Sequence, residues 1–355
     1  MIMSDFVSEV YREPICQAVL EITNRCNLRC PHCASASGEA REGEMTLEQA
    51  RGVIRDLRKL GCQELALLGG EPFLRPDWYE IAAEVKSAGI ELQLITNGLL
   101  VNEKLRKQIR ALDPETFNVS VDGATPETYR MIRGVNGFGT CMRLLKDAVN
   151  DGFQEVHAIT TFNAKNLKDF DRFVELFIDS PIVWQVQMAN GGGERFQNDL
   201  LMSRDDYRWL ADKIAAASEL RPRLRLLTMD DMGYNAMTTR YAGMCRPWHG
   251  CHAGRRVIGI RANGDVLPCL SLGSRFVFDN LFKRSLEEIW RDPASFPGFR
   301  DEPKSLTGKC RICPHAKICR AGCHAMAYSL TQTLTENPFC VRQLEAEDFI
   351  SGITA

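Results

Sequence analysis

The cysteines constrain this chain more than any other feature of its sequence. Fourteen are present among 355 residues, and eleven of them form two groups. The first group is Cys26-Asn27-Leu28-Arg29-Cys30-Pro31-His32-Cys33, and the second places eight cysteines in the last third of the chain. Residues 1–14 contain no signal-peptide core, which predicts a cytoplasmic protein whose thiols stay reduced. We therefore expect these cysteines to bind metal rather than to form disulfides.

The N-terminal triplet has the spacing C-x3-C-x2-C. Three thiolates hold three of the four irons of a [4Fe–4S] cluster, and the fourth iron is left open for another ligand. This motif resembles that of the radical S-adenosylmethionine (SAM) enzymes. The resemblance implies that Cys26, Cys30 and Cys33 bind the cluster and that SAM binds the open iron. It also implies reductive cleavage of SAM to a 5′-deoxyadenosyl radical, with electrons from a partner such as flavodoxin or ferredoxin.

The region from Ala18 to about Leu227 alternates β-rich runs with segments of helical period, which is typical of a parallel α/β architecture. The predicted strands are Ala18–Thr23, Glu64–Leu68, Glu91–Thr96, Thr116–Val121, Gln154–Thr161 and Ile182–Met188. The helices predicted between them include Leu47–Leu60, Trp78–Ala88 and Phe138–Asn150. Six β/α units predict a partial (β/α)6 TIM-like barrel, in which functional residues follow the C-terminal ends of the strands.

Glycines and polar residues follow the first four predicted strands, so all four segments would meet at one mouth. In the radical SAM family the corresponding positions contact SAM. The resemblance therefore implies cofactor-binding roles for His32, Gly69, Gly70, Glu71, Thr96, Asn97, Ser120 and Asp122. Polar residues at strand ends also cap helices, so helix capping is the alternative role for Thr96, Asn97, Ser120 and Asp122. His32 stands where the family often has an aromatic residue, and its ring either packs on the adenine or lies exposed.

The second group of cysteines begins with Cys245 and Cys251. Asn263-Gly264 lies between two apolar runs and predicts a β-hairpin that returns the chain to Cys269. The spacing that follows is C-x2-C-x5-C-x3-C and a final cysteine. This pattern resembles the SPASM extension of radical SAM enzymes. By that resemblance Cys245, Cys251, Cys269 and Cys323 hold one auxiliary [4Fe–4S] cluster, and Cys310, Cys313, Cys319 and Cys340 hold another, giving three clusters in all.

Zinc is the competing interpretation for part of this group. Cys310-x2-Cys313 with His315 and Cys319 nearby also has the spacing of a zinc ribbon. The N-terminal triplet in the same chain favours iron–sulfur clusters, although the softness of thiolate ligands does not by itself distinguish the two metals.

The α/β alternation and the resemblance together predict three segments, and the net charge and hydropathy exclude some partners. We expect an N-terminal segment at 1–17, a radical SAM partial barrel at 18–229 and a SPASM domain at 230–355. The net charge of −2 provides no broad basic field, so we expect no nucleic-acid partner. No apolar run approaches the ~20 residues needed to span a bilayer, so we expect no membrane partner.

The catalytic acid or base is the least constrained prediction. Sulfatase-maturing relatives carry an acid directly after the second loop cysteine, where this chain has Leu270, so sulfatase maturation is disfavoured. Asp230, Asp231 and Tyr234 are the catalytic candidates because they lie in a linker that could roof the barrel. Helix capping or linker solvation is the alternative for the two acids.

The three remaining cysteines are Cys16, Cys62 and Cys141, and we expect all three to be buried apolar side chains. None is placed at the barrel mouth, where a radical epimerase needs a thiol to return hydrogen. This weakly favours oxidation or cross-linking over epimerisation.

The sequence thus predicts a radical SAM/SPASM oxidoreductase that modifies a ribosomally made peptide by oxidation or cross-linking. The segment before the first strand is short for a peptide-leader-binding domain, so a separate leader-binding protein is a possible partner. The alternative is a dehydrogenase or epimerase of a carbohydrate or aminocyclitol in natural-product biosynthesis. A non-catalytic electron-transfer or zinc protein is a third class.

Overall fold

A ten-stranded sheet organises the chain. The computed structural model describes residues 11–229, 234–244, 249–300 and 305–354. The strands are β1 Gln17–Glu21, β2 Glu64–Leu68, β3 Glu91–Thr96, β4 Thr116–Ser120, β5 Val156–Phe162, β6 Val183–Met188, β7 Leu226–Thr228, β8 Val257–Ile260, β9 Asp265–Leu267 and β10 Asp279–Asn280. Their spatial order is β10-β9-β8-β1-β2-β3-β4-β5-β6-β7. The sheet is open because this order begins and ends at edge strands, and the predicted partial barrel is confirmed.

Helices connect the strands of the parallel region, as right-handed crossovers between parallel strands require. They are α1 Leu47–Lys59, α2 Trp78–Ser87, α3 Glu103–Leu112, α4 Pro126–Arg133, α5 Phe138–Asn150, α6 Phe170–Phe177 and α7 Arg204–Ser218. The C-terminal part adds α8 Leu286–Arg291, α9 Ala316–Cys319, α10 His324–Thr331 and α11 Val341–Thr354. Among the described residues, no helix is long and apolar enough to cross a membrane.

Local sequence explains the boundaries of the helices. The side chain of Thr46 accepts a hydrogen bond from the Gln49 N–H, and the side chain of Gln49 accepts one from the Thr46 N–H. These two bonds form the capping box that begins α1. Gly134 has φ +79° directly after α4, a conformation that glycine adopts without steric cost. The three predicted helices are present to within one residue at each end.

The six predicted strands are all present, and their ends differ from the prediction by at most two residues. The predicted hairpin is also present, since β8 pairs antiparallel with β9 and Gly264 has φ +81°. Two pairings were not predicted. Strand β7 extends the parallel sheet beyond β6, and β8 pairs in parallel with β1 on the other side.

The β1–β8 pairing joins the C-terminal part of the chain to the barrel. Gln17 pairs with Val257 and Leu20 with Ile260, so the cysteine-rich hairpin begins as a further strand of the same sheet. The domain boundaries at 17 and 229 stay predictions, and the sheet itself is continuous between the two parts of the chain.

Candidate active site

One cavity of about 270 Å³ lies at the C-terminal ends of the parallel strands. All three cysteines of the N-terminal triplet line it. Of the predicted SAM-contacting residues, the following also line it: His32, Gly69, Gly70, Thr96, Asn97 and Ser120. Several of these residues follow strand ends, as in other (β/α) barrels, and their contacts with SAM stay a prediction. Glu71 and Asp122 are fully buried and do not belong to the cavity wall.

Each thiol of the triplet lies near hydrogen-bond donors. The Leu28 N–H lies 3.3 Å from Cys26 Sγ, and the Ser37 N–H lies 3.4 Å from Cys33 Sγ. The Arg133 guanidinium lies 3.7 Å from Cys30 Sγ. Donors of this kind stabilise thiolates, which are the form that binds metal. The donor set therefore fits a cluster held by three thiolates.

Burial sets the acidity of these thiols in the protein. The pKa of Cys26 is raised to about 11, chiefly because burial disfavours the thiolate, while the Leu28 N–H opposes the shift. Burial also raises the pKa of Cys30, and Arg133 opposes it. Metal binding must therefore displace protons from thiols that burial keeps protonated, which couples loading of the site to pH.

The glycines after β2 are required by backbone packing within the protein. A Cβ atom added at Gly69 would lie 2.2 Å from the carbonyl oxygen of Thr23, and one at Gly70 would lie 2.1 Å from that of Arg25. The Gly70 N–H donates to the Thr23 carbonyl at 2.7 Å. This segment therefore lies directly against the strand end that leads into Cys26. The absence of side chains at Gly69 and Gly70 lets the two strand ends meet at the cavity wall.

Glu71 organises the segment after β3 from behind the cavity. Its carboxylate accepts hydrogen bonds from the Thr96 hydroxyl at 2.7 Å and from the Asn97 N–H at 2.9 Å. Burial raises the pKa of Glu71 to about 7, against these two hydrogen bonds. Because Thr96 and Asn97 line the cavity, Glu71 acts as a positioning residue for them.

His32 and Asp122 form a contact that the sequence did not predict. His32 Nε2 lies 3.0 Å from Asp122 Oδ2, and the histidine side chain is 8% exposed. Neither alternative considered for His32, a ring stacked on adenine or an exposed ring, includes this carboxylate. Of these two alternatives, the exposed ring does not match the structure, and among the described residues Nδ1 of the ring has no hydrogen-bond partner.

Arg133 is a cavity residue that sequence reasoning missed. Its guanidinium lies 2.7 Å from Asp122 Oδ2, and Arg133 lines the cavity beside Cys30. Burial opposes its charge, but Asp122 and Cys30 raise the pKa of Arg133 above its ordinary value. Burial likewise opposes the charge of Asp122, yet Arg133 and then His32 hold the pKa of that carboxyl below its usual range. A fixed cation therefore stands next to the cysteine triplet.

The far side of the cavity combines residues of the barrel and of the C-terminal part. Thr161 and Gln187, at the ends of β5 and β6, are hydrogen-bonded to each other at 3.0 Å. Asn190 lies beyond β6, and Ser271 follows Cys269 and Leu270. Among the described residues of the cysteine-rich part, Ser271 lines the cavity, and it lies two residues after Cys269.

The loop after β6 fastens the cysteine triplet from outside the cavity. Arg195 donates to the carbonyl oxygens of Ala36 at 2.8 Å and Ser37 at 3.0 Å. Glu194 pairs with Arg261 of the C-terminal part at 2.8 Å. The segment Gly191–Gly193 directly precedes Glu194. Through Arg195 and Glu194, this loop contacts both the cysteine-triplet loop and the C-terminal hairpin.

Four of the C-terminal cysteines lie near one another. Burial raises the pKa of Cys319 to about 12, and Cys340, Cys310 and Cys313 add to that shift. Cys340 is affected in the same way by Cys310 and Cys313, and its pKa is about 11. This is the set that the resemblance to the SPASM extension implies for one auxiliary cluster.

The other predicted set is described only in part. Cys251, Cys269 and Cys323 are half-buried and pack against the hydrophobic core, whereas Cys245 lies outside the described residues. No three His, Cys, Asp or Glu side chains within the described ranges lie close enough to bind one metal ion. A tetranuclear cluster takes one thiolate on each iron and does not require that convergence.

The catalytic candidates of the sequence analysis gain no support as cavity residues. Asp230 and Asp231 lie outside the described residues. Tyr234 is buried, and its hydroxyl accepts a hydrogen bond from the Cys323 N–H at 2.9 Å. This places Tyr234 beside a predicted cluster cysteine, and it is not part of the cavity wall. Of the cysteines outside the two groups, Cys62 and Cys141 are buried as expected, whereas Cys16 is only half-buried.

Comparison with known proteins identifies the family. The model of the radical SAM superfamily matches residues 20–177, and that of the SPASM iron–sulfur cluster-binding domain matches residues 251–314. The AdoMet-dependent heme synthase of Methanosarcina barkeri is 30% identical over 337 residues, covering 90% of this chain and 95% of the relative. This chain belongs to the radical SAM superfamily. Like the family, this radical SAM enzyme uses SAM and [4Fe–4S] clusters.

Other relatives share nearly the whole length of this radical SAM enzyme. The mycofactocin maturase MftC of Mycobacterium tuberculosis is 28% identical, covering 93% of this chain and 83% of the relative. The PqqA peptide cyclase of Xanthomonas axonopodis is 29% identical, with coverage of 93% and 88%. The structure of Streptococcus suis SuiB bound to its precursor peptide SuiA superposes with a TM-score of 0.75 at 20% identity, covering 93% of this chain and 76% of SuiB. At that identity the likeness to SuiB shows a shared fold.

Proposed function

We propose that this radical SAM enzyme is an oxidoreductase with three [4Fe–4S] clusters that abstracts hydrogen from a C–H bond of a ribosomally made peptide. Oxidation or cross-linking of the peptide is the proposed outcome. The observation that carries the proposal is the joint lining of one cavity by Cys26, Cys30, Cys33 and Ser271. Residues of the barrel and of the cysteine-rich part therefore line the same cavity, in which we propose that the reaction takes place.

The proposed roles of the residues follow from their positions. Cys26, Cys30 and Cys33 would hold the cluster that, when bound, supplies the electron for SAM cleavage to a 5′-deoxyadenosyl radical. Gly69 and Gly70 leave space at the strand end, and Asn97 and Ser120 present polar groups to the cavity. Arg133 presents a fixed positive charge that complements a carboxylate in the cavity.

We propose the auxiliary-cluster ligands that the SPASM resemblance implies. Cys310, Cys313, Cys319 and Cys340 would hold one cluster, and Cys245, Cys251, Cys269 and Cys323 another. With all ligands supplied by cysteine, neither auxiliary cluster would bind substrate directly. The Tyr234 hydroxyl accepts a hydrogen bond from the Cys323 N–H, so Tyr234 would position this cysteine rather than act as a base. Asp230 and Asp231 stay candidates for the base.

The peptide substrate is supported by the relatives. The names of MftC and of the PqqA peptide cyclase describe a maturase and an enzyme acting on a peptide. These relatives match this chain over 93% of its length, so they are similar in both halves that line the cavity. We propose by analogy that this enzyme also acts on a precursor peptide, with a leader-binding protein as a separate partner and flavodoxin or ferredoxin as the reductant.

The experiment that tests the proposal measures 5′-deoxyadenosine. Anaerobic, dithionite-reduced enzyme is incubated with SAM and with either the peptide or the small-metabolite fraction of the source cell's extract. Release stimulated by the peptide fraction supports the proposal, and protease treatment of that fraction should abolish the stimulation. Stimulation by the metabolite fraction alone contradicts it. The Cys30→Ala variant is the matched control and should release no 5′-deoxyadenosine.

A small-molecule substrate is the second candidate, and one observation favours it. The heme synthase of Methanosarcina barkeri is 30% identical to this chain, and the match covers 95% of the heme synthase. The corresponding coverage of MftC is 83%. A reaction on a tetrapyrrole would need no leader-binding partner. Porphyrin-containing extract fractions would then stimulate 5′-deoxyadenosine release after protease treatment. The carbohydrate or aminocyclitol alternative stays an untested prediction.

A further inference from the structure

Four neighbouring residues of the cysteine-rich part form an exposed surface of mixed character, which we call the Arg311–Ile318 surface: Arg311, Ile312, Lys317 and Ile318. Ile312 is 79% exposed and Ile318 is 55% exposed. Ile312 is the most exposed large apolar side chain in the described part of the chain. An isoleucine this exposed is costly to solvate, and a pair of them beside exposed cations suggests a contact surface.

The charge of this surface is locally positive. Residues 305–335 contain four lysines and arginines and no aspartate or glutamate, although the whole chain has a net charge of −2. Lys309 is paired with Glu347. Arg311 and Lys317 are exposed and form no ion pair with any residue that the structure describes. Two cations are therefore available to a partner that carries negative charge.

The residues of this surface are immediate sequence neighbours of three cysteines. Arg311 and Ile312 occupy the two positions between Cys310 and Cys313, and Lys317 and Ile318 directly precede Cys319. The Cys313 N–H donates to the Cys310 carbonyl oxygen at 3.3 Å. The N–H of Gln343 donates to the Cys340 carbonyl oxygen at 3.0 Å, and the side-chain amide of Gln343 lies 4.0 Å from Cys310 Sγ, so these cysteines lie close together. A protein bound to the surface would therefore be separated from the thiols by little more than the backbone that carries them.

We propose that the Arg311–Ile318 surface is the docking site for a small acidic electron-carrier protein. The inference rests on the proposed function in that Cys310, Cys313, Cys319 and Cys340 must hold a redox-active cluster. A small apolar centre with a charged rim suits the brief, low-area contacts of electron-transfer partners. One electron would cross the contact, so the carrier is reduced by one electron as the cluster is oxidised by one, and no atom or proton is transferred.

Binding of a small acidic [2Fe–2S] ferredoxin to the reconstituted holoenzyme tests the proposal. The dissociation constant is measured by anaerobic calorimetry at about 50 mM and about 300 mM NaCl, where the Debye length falls to roughly half. The charge-reversal variant is Arg311→Glu/Lys317→Glu. Its matched control is Arg143→Glu/Lys146→Glu, which makes the same charge change at exposed positions of α5. The Ile312→Ser/Ile318→Ser variant tests the apolar contact.

The proposal predicts a specific pattern of affinities. The Arg311/Lys317 reversal should weaken binding at least tenfold at low salt and by less at high salt, because screening removes the charge contribution. The α5 control should change affinity less than twofold. The isoleucine variant should weaken binding by about the same factor at both salt concentrations, because an apolar contact is not screened. If reversal causes iron loss, Arg311→Gln/Lys317→Gln carries the same test.

Other outcomes overturn the inference. Equal weakening in both reversal variants would show a nonspecific charge effect, and no weakening or no binding by the wild type would exclude this docking site. Loss of precursor-peptide binding with ferredoxin binding intact would assign the surface to the substrate. Iron content and dithionite-driven 5′-deoxyadenosine release are measured in parallel. Their absence in the wild type would contradict the proposed function, whereas their presence without ferredoxin binding would contradict only the docking site.

Discussion

His32 Nε2 lies 3.0 Å from Asp122 Oδ2, and this contact joins the loop of the cysteine triplet to the end of the fourth strand. The same carboxylate oxygen lies 2.7 Å from Arg133. Asp122 thus compensates a buried cation and also contacts the imidazole of a residue between two cluster cysteines. The loop that carries Cys30 and Cys33 is therefore held from its interior side by charge, and from its outer side by Arg195.

Replacing Asp122 should damage both stability and cluster loading. In Asp122→Asn, the buried guanidinium of Arg133 loses its counter-charge, and breaking a buried pair from one side costs about 3–5 kcal/mol. We expect a lower free energy of unfolding and less iron bound after anaerobic reconstitution. The control is Asp179→Asn, which removes an exposed pair with Arg223 and should leave the melting temperature unchanged. An Asp122→Asn enzyme with normal stability and iron content would contradict this account.

Substitution of His32 should separate its contact with Asp122 from simple aromatic packing. His32→Phe keeps a planar ring but removes the donor to the carboxylate, and it should cost about 1–3 kcal/mol of stability. His32→Gln keeps a side-chain N–H donor and should recover part of that loss. The measurement is anaerobic thermal unfolding of all three proteins. A phenylalanine variant as stable as the wild type, with the glutamine variant less stable, would show that ring packing matters more.

Gly70 should not tolerate even the smallest side chain. An added Cβ at this position would lie 2.1 Å from the backbone carbonyl oxygen of Arg25, and backbone cannot move aside cheaply. Gly70→Ala should therefore shift the segment that leads into Cys26 and reduce iron binding by the triplet. Gly139→Ala is the matched control, because an added Cβ there meets nothing within 4 Å and alanine is the better helix former. Iron content and melting temperature should fall only in the Gly70 variant.

Removal of one cluster should be visible in the iron count. Three tetranuclear clusters contain about 12 irons per chain, and Cys30→Ala should leave about 8. Cys141→Ala is the control, because this thiol is buried, is hydrogen-bonded to the Asn97 carbonyl oxygen at 3.3 Å and is not assigned to a cluster. Both variants are assayed for iron and for SAM cleavage. An unchanged iron count in Cys30→Ala, or an equal loss in both variants, would be evidence against the assigned ligands.

The sequence predicted the elements of the barrel because their signals are local. Period-2 and period-3.6 patterns and caps such as Thr46 are read within a few residues, and the strand-end rule then brought Gly69, Asn97 and Ser120 to one cavity. The pairing of β8 with β1 depends on contacts across more than 200 residues, for which one sequence contains no signal.

The features that sequence reasoning did not find are long-range contacts of polar side chains. Arg133 ends α4 just before Gly134, so its sequence position fits an ordinary helix C-terminus. Only the tertiary structure shows that its guanidinium points to Cys30. His32 and Asp122 are separated by 90 positions, and Tyr234 lies at Cys323 rather than over the barrel. In each case, long-range packing decides the role of a polar group.

Glu71 should make the stability of the protein fall as the pH rises. Its pKa is about 7 in the folded protein, raised from 4.5 by burial, so between these values the folded state binds more protons than the unfolded state. Stability therefore decreases with pH in this range. Between pH 6 and pH 8.5 the loss attributable to Glu71 is roughly 1–2 kcal/mol.

The Glu71→Gln variant isolates this effect because an amide has a similar shape and does not titrate. Its side chain can accept from the Asn97 N–H and donate to the Thr96 hydroxyl, which preserves both contacts of the carboxylate. Anaerobic unfolding is measured for both proteins across this pH range. The difference in unfolding free energy between variant and wild type should grow as the pH rises. A difference that is constant or shrinks as the pH rises would contradict the raised pKa of Glu71.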